Sequence, residues 1–211
     1  MHTDAGARAA GHERALVAGT TVYACLTHPV AEAWGTDWLT AGGGEVRFRS
    51  PVFDEDDVTI APVDQEGAMR LEARSRGERH ATLDVWLGVT TPPPMRGPRL
   101  PTMVVEIDEQ LAGYGRRAGD DLSLYDARGL AHPVLATVLG TRAMIAGVVA
   151  GPWIHVRSHV SHLGAIRPGD DAVVESSNAD RFDSRAGERA ILDLRVAVDD
   201  RPVLAIEHEA I

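Results

Sequence analysis

The chain has 211 residues, of which 44% are hydrophobic and 25% charged, an ordinary globular balance with enough apolar side chains for a core. Its 21 Lys and Arg against 31 Asp and Glu give a net charge of −10, which repels a phosphate backbone and anionic lipid and argues against nucleic-acid and membrane partners. No apolar run approaches the roughly 20 residues that span a bilayer, Met1 to Ala10 lacks the apolar segment of a secretory signal, and the single cysteine, Cys25, excludes an internal disulfide. A reducing cytoplasm is the expected compartment, with Cys25 as a buried, inert thiol among Val22, Tyr23, Ala24 and Leu26.

From Gly19 to Trp34, the spacing of Val22, Tyr23, Leu26, Val30 and Ala33 predicts a core-facing helix. Pro29 is expected to kink or divide it. After Gly42-Gly43-Gly44 the period changes to two: Val46 and Phe48, Val58 and Ile60, Met69 and Leu71, then Leu83, Val85 and Leu87 form strand-like groups bounded by turn residues. Thr91-Pro92-Pro93-Pro94-Met95-Arg96-Gly97-Pro98 cannot continue a strand, because proline donates no ladder hydrogen bond. It reads as a linker over 92–101, separating a first unit, 1–91, from a second, 102–211. In the second unit Met103 to Ile107 is a short strand and Gly113 to Asp126 is mostly turn. His132 to Val149 is a helix with Leu135, Val138, Leu139, Met144, Ile145 and Val148 as its apolar set. Strands are expected at Trp153 to Val160, Ala172 to Ser176, Ala190 to Val198 and Val203 to Glu207.

The two units share an octapeptide: Gly77-Glu78-Arg79-His80-Ala81-Thr82-Leu83-Asp84 returns as Gly187-Glu188-Arg189-Ala190-Ile191-Leu192-Asp193-Leu194. The order of elements around it repeats as well, a helix and then short antiparallel strands, which indicates one domain-sized unit used twice. The fold class is α+β, with two sheets, each wrapped around its own helix and joined edge to edge.

A helix followed by Arg47-Phe48-Arg49-Ser50-Pro51-Val52-Phe53 and then acidic residues resembles the hotdog fold, in particular the MaoC-like enoyl-thioester hydratases and dehydratases. The resemblance covers nearly the whole chain as a double hotdog. That family has a turn of the form Tyr, a few residues, Gly-Asp-x-Asn-Pro-x-His, in which Asp and His hold a water for addition to an enoyl thioester. Here the turn reads Tyr114-Gly115-Arg116-Arg117-Ala118-Gly119-Asp120-Asp121-Leu122-Ser123-Leu124-Tyr125. Asp120 falls on the family's aspartate, Leu122 and Ser123 replace Asn-Pro, and Tyr125 replaces the histidine, a poor base at neutral pH. The bland reading of Gly119-Asp120-Asp121 is a solvated turn like Gly169-Asp170-Asp171. Met1-His2-Thr3-Asp4 resembles the residues just after the family's Asn-Pro, so His2 matches its histidine. The matching aspartate and opening strand would then lie before Met1, so that either the gene start is placed too late, or this half has shed its catalytic turn, or a partner chain supplies it; the bland reading of His2 is a frayed terminus.

The family also has His-Gly opening its central helix, with a backbone N–H that binds the thioester oxygen, a role suited to helix starts because their first amides lack internal partners. Val17-Ala18-Gly19 keeps the glycine, and Ala131-His132-Pro133 keeps the histidine; its bland role is helix initiation, with Pro133 in the first turn. Each half thus keeps part of the site. His155, His159 and His162 invite a zinc reading. Gly151-Pro152 argues against a helix there, and Ile154, Val156 and Val160 alternate with His155, Arg157 and His159, which predicts the histidines on the polar face of a strand. Arg157 and these histidines are candidate contacts for a pantetheine or coenzyme phosphate. Gly113-Tyr114-Gly115-Arg116-Arg117-Ala118 fits a loose dinucleotide fingerprint but lacks the flanking strand and helix.

The resemblance implies reversible hydration of a 2-enoyl thioester or dehydration of its 3-hydroxy form. Asp120, Tyr125 and His2 are the candidate catalytic residues, and Gly19, His132 and Arg157 the candidate substrate-binding residues. No cofactor or metal is implied. The implied partners are an acyl thioester of coenzyme A or a carrier protein and a second hotdog chain, as homodimer or hetero-oligomer. The broken turn leaves two alternatives open, a non-catalytic acyl-thioester-binding or partner subunit and a hotdog thioesterase.

Overall fold

A computed structural model describes residues 2–9, 11–65, 68–149, 151 and 153–211. Met1, Ala10 and Pro152, which belong to the sequence patterns above, lie outside the described residues. The first half contains α1 (Asp4–Ala9), α2 (Gly19–Ala41), β1 (Gly42–Phe48), β2 (Thr59–Gln65), β3 (Ala68–Ser75) and β4 (Glu78–Leu87). The second contains β5 (Met103–Glu106), the short helices α3 (Glu109–Ala112), α4 (Tyr114–Arg117) and α5 (Leu124–Arg128), then α6 (Leu135–Gly147), β6 (His155–His162), β7 (Asp171–Ser184), β8 (Gly187–Val198) and β9 (Arg201–Ala210).

All strands join one antiparallel sheet in the order β2-β3-β4-β1-β6-β9-β8-β7-β5. Two hotdogs meet edge to edge at the β1–β6 pair, which hides an edge that each would otherwise expose. The glycine run Gly42-Gly43-Gly44 makes this seam possible, since a Cβ on Gly43 would lie 2.4 Å from the Val160 carbonyl oxygen across it. Arg157 on β6 spans the seam with bonds to Glu45 on β1 at 3.0 Å and Glu209 on β9 at 3.1 Å, and it also pairs with Glu207.

Each helix lies on its own part of the sheet. Val22, Tyr23, Leu26, Val30 and Trp38 of α2 are buried with Val46, Leu71 and Leu83, while Leu135, Leu139 and Met144 of α6 are buried with Leu192, Leu194 and Ile206. The two cores interlock, because Tyr125, Leu130 and Val134 of the second half pack into the α2 cluster. Pro29 leaves α2 helical, and the break falls instead at Gly35, whose φ of 57° and ψ of −141° only glycine adopts without strain.

The octapeptide repeat pairs strands that are not equivalent. Gly77 leads into β4, the neighbour of central β1, whereas Gly187 opens β8, one strand further out from central β6. Topologically β4 corresponds to β9. Half of the segment from Gly113 to Asp126 is turn or irregular and half is helical, as α4 and the start of α5.

Candidate functional site

Asp120 sits between α4 and α5 with 4% of its surface exposed, so the solvated-turn reading fails. One carboxylate oxygen accepts the Leu122 N–H at 3.0 Å and His28 Nδ1 at 3.0 Å; the other accepts His132 Nε2 at 2.8 Å and the Tyr125 hydroxyl at 3.2 Å. These four donors fill the lone-pair directions a carboxylate offers. Burial alone raises the Asp120 pKa, but the bonds from His132, Leu122 and His28 outweigh it and hold the group down at about 2. Burial and then the Asp120 charge push the Tyr125 phenol well above its usual range, so it serves as a donor and not as a base.

His132 accepts the Val134 N–H on Nδ1 at 3.0 Å, so its partners specify the tautomer with the proton on Nε2. Both ring nitrogens are used, and the ring closes the approach to α6. It packs so tightly that a Cβ on Gly115 would lie 2.1 Å from it. His28, on α2, is the partly exposed member of the group, with a third of its side chain accessible. His28, Asp120 and Asp121 bring possible metal ligands within 4.8 Å of one another, but the Asp120 oxygens are already fully engaged.

The open concavity lies elsewhere, at the start of α2, with a volume of about 1070 Å³. Its walls come from α1, the loop before α2, the end of β1, one face of α6 and the start of β6. Phe48, Val52, Val138, Ile145, Trp153 and Ile154 give it an apolar lining, and Ile145 and Ile154 are 60% and 47% exposed there. Arg49, Arg142 and Arg189 also line it, and no Asp or Glu does among the described residues. Arg189 is paired with Glu209 at 2.6 Å, which leaves Arg49 and Arg142 as the cations of the cleft, a local excess of positive charge suited to an anionic ligand in a chain of net charge −10.

His2 and Gly19 both line this cleft, and His2 is tied down by a 2.8 Å bond from its Nδ1 to the Leu16 carbonyl. Asp120, Tyr125 and His132 form the closed cluster, and none of them lines the cleft. The structure therefore separates residues that the sequence reading combines. Arg157 does not line the cleft either; three glutamates engage its guanidinium.

Of the three histidines on β6, only His159 is on the polar face, stacked on Trp86 with ring centroids 4.9 Å apart. His155 and His162 are buried. A register shift between His155 and Arg157 turns His155 inward, where its Nε2 meets the Ser158 hydroxyl at 2.8 Å and that hydroxyl meets His208 Nδ1 at 2.8 Å. Two site-lining or site-bonding residues, His28 and His80, escape the sequence reading, and a third, His155, is placed by it on the wrong face of its strand. His28 reaches Asp120 only through packing of α2 on the second half, His155 turns on a bulge, and His80 is placed by hydroxyls of Ser50 at 3.0 Å and Ser75 at 2.8 Å.

No protein-family model and no curated protein matches the chain. Solved structures do match. RV0216 from Mycobacterium tuberculosis, described as a double hotdog protein, superposes with a TM-score of 0.70 at 13% identity over 99% of this chain and 86% of its own. A MaoC-like dehydratase gives 0.63 at 12% identity over 98% and 87%. The dehydratase domain of PpsC from Mycobacterium tuberculosis, solved with C12:1-CoA, gives 0.57 at 14% identity over 93% and 84%. Thioesterases match as well, over 91–93% of the chain. The chain has the double hotdog fold, the architecture of its MaoC-like dehydratase neighbours.

Proposed function

We propose that the protein binds acyl thioesters in the cleft at the start of α2, and that this cleft holds the thioester without carrying out hydration through Asp120. One observation carries the reading: the open cleft has an apolar and cationic lining without a carboxylate among the described residues, while Asp120, the aspartate that matches the family's, is sealed and saturated by four donors. Apolar walls suit an acyl chain and the arginines suit the phosphates of coenzyme A or of a carrier's phosphopantetheine. The bound C12:1-CoA of the PpsC domain supports the ligand class. A loss of acid/base groups removes a factor of ~10² to 10⁴ in rate, which fits a binding or partner subunit better than an efficient hydratase. The test is calorimetric titration with saturated and 2-enoyl-CoA esters, together with an absorbance assay for loss of the conjugated double bond. Binding without turnover is expected; rapid hydration by the purified chain overturns the binding-only reading.

A second reading has its own observation. His28 hydrogen-bonds Asp120 through Nδ1 and is partly exposed, so the first half's helix supplies a histidine where Tyr125 replaces the family's own. If the absorbance assay detects slow hydration, loss of that rate in His28→Ala assigns it to this pair.

A further inference from the structure

A hydroxyl and an imidazole meet in the wall of the cleft, apart from the Asp120 cluster. Ser50 follows the end of β1 and is partly exposed, and His80 near the start of β4 is buried, with 5% of its surface exposed; both line the cleft. The Ser50 Oγ lies 3.0 Å from His80 Nδ1, and His80 Nε2 lies 2.8 Å from the Ser75 Oγ at the end of β3. A hydroxyl within hydrogen-bond reach of an imidazole whose far nitrogen is oriented by a third group is the arrangement of an activated nucleophile.

The backbone holds the three side chains together. The Arg49 N–H donates to the His80 carbonyl at 2.8 Å, which carries the β1–β4 pairing one residue past Phe48 and Ala81 toward the serine. Pro51 confines Ser50 to extended backbone, because the proline ring disfavours the helical region for the residue before it. Ser75 and His80 flank the turn between β3 and β4, where Arg76 and Gly77 have φ of 49° and 84°, so local chain reversal brings the third group to the ring. The Ser75 hydroxyl can donate to Nε2 or accept from it. When it accepts, the ring carries its proton on Nε2 and turns the Nδ1 lone pair to Ser50, and this is the tautomer that the reaction below uses.

We propose that Ser50 is a nucleophile that takes the acyl group from a thioester bound in the cleft, with His80 as its base and Ser75 positioning the ring. The proposal rests on the acyl-thioester reading above and concerns the thioester carbon, not the double bond. The Ser50 Oγ bonds to the acyl carbon and the C–S bond breaks. The hydroxyl proton passes to His80 Nδ1 and from there to the departing sulfur, so the products are an O-acylserine and a free thiol. The step runs downhill, because a thioester is a more reactive acyl donor than an oxygen ester. Hydrolysis of the new ester is slow, since no Asp or Glu lines the cleft among the described residues to assist a water. The acyl group therefore accumulates on the chain.

The test is intact-mass spectrometry of the full chain after incubation with octanoyl-CoA, with thiol release followed alongside, and calorimetry with S-octyl-CoA, a thioether that cannot transfer its chain. The sequence has no lysine and a single cysteine, so few other groups compete, and neutral hydroxylamine strips an acyl group from Cys25 while leaving a serine ester intact. A single hydroxylamine-resistant octanoyl group mapped to Ser50, with an equal amount of thiol, is expected. Ser50→Ala is expected to abolish the label and His80→Gln to slow it by ~10² or more, with S-octyl-CoA affinity kept in both. Ser75→Ala is expected to slow labelling at saturating octanoyl-CoA without weakening S-octyl-CoA binding, and Ser75→Thr, which keeps the hydroxyl, to restore the rate. No label, or a label elsewhere, on a wild-type chain that binds S-octyl-CoA overturns the nucleophile and leaves the acyl-thioester reading standing, whereas neither label nor binding overturns both. Should a variant fail to fold, the mapped site on the wild-type protein decides.

Discussion

The starts of α2 and α6 occupy corresponding places in the two hotdogs, yet one opens on a cavity and the other is shut. At α6, His132 uses one nitrogen for the Val134 amide and the other for Asp120, and Gly115 packs against its ring. At α2 the corresponding place has only Ala18 and Gly19, and the space that a histidine fills in the second half is left as cleft. The sealed end has a carboxylate with its donors, and the open end, among the described residues, has helix-start amides without an acceptor and no carboxylate. Duplication therefore allowed the two parts of one site to separate, with one turned into a polar strut of the core and the other left for ligand.

The sharpest way to break this comparison is to remove the strut. Asp120→Ala leaves the His132, Tyr125, Leu122 and His28 donors facing an empty buried position, and a loss of ~3–5 kcal/mol is expected in urea unfolding. Affinity for acyl-CoA is expected to stay within about twofold, because the cleft is lined by other residues. A large fall in affinity at preserved stability would mean that Asp120 serves the ligand after all. The same carboxylate sets an acid limb. Its pKa is depressed from 3.8 to about 2, so its stabilisation is full above the unfolded-state value and is lost as pH falls through about 2, worth about 2 kcal/mol. Asp120→Asn is expected to flatten that limb.

Alanine at a glycine in each region separates the two roles next. Gly115→Ala puts a Cβ 2.1 Å from the His132 ring, far inside contact distance, and is expected to cost ~1–3 kcal/mol by overpacking. Gly19→Ala meets nothing closer than 3.4 Å and sits in a helix, where alanine is well tolerated. It is expected to leave the melting temperature nearly unchanged and to weaken acyl-CoA binding by narrowing the approach to the amides. The opposite pattern would reverse the assignment of strut and site.

Much of the fold is legible in the sequence because its signals are local. The period of α2 and the alternation of β1 and β4 each depend on residues near in sequence. The octapeptide misleads for a local reason too. Gly77 and Gly187 both have positive φ, at 84° and 134°, at hairpin turns between neighbouring strands, so the shared Gly-Glu-Arg reflects turn chemistry, and the register of the duplication must be read from strand order. Asp120 can be picked out by its resemblance to the family's turn, but its saturation cannot, since His28 comes from the other half. Alternation places His155 on the polar face because it carries no warning of the bulge that turns the ring inward.

The smallest effect concerns charge, and it bears on which end of a ligand enters where. Arg142 on α6 is exposed at the cleft, with Arg49 opposite at the end of β1. An exposed charge contributes only ~1 kcal/mol or less, and salt screens it over a Debye length of roughly 10 Å at 0.1 M. Arg142→Glu is therefore expected to weaken octanoyl-CoA binding about three- to tenfold at low ionic strength, with the difference shrinking in salt. Octanoyl-pantetheine, which has the thioester and acyl chain without the nucleotide phosphates, is expected to bind the variant and the wild type alike. Equal losses for both ligands would place Arg142 beside the acyl chain, so that the cleft would be entered from the opposite side and its cationic rim would have to be explained by something other than phosphate.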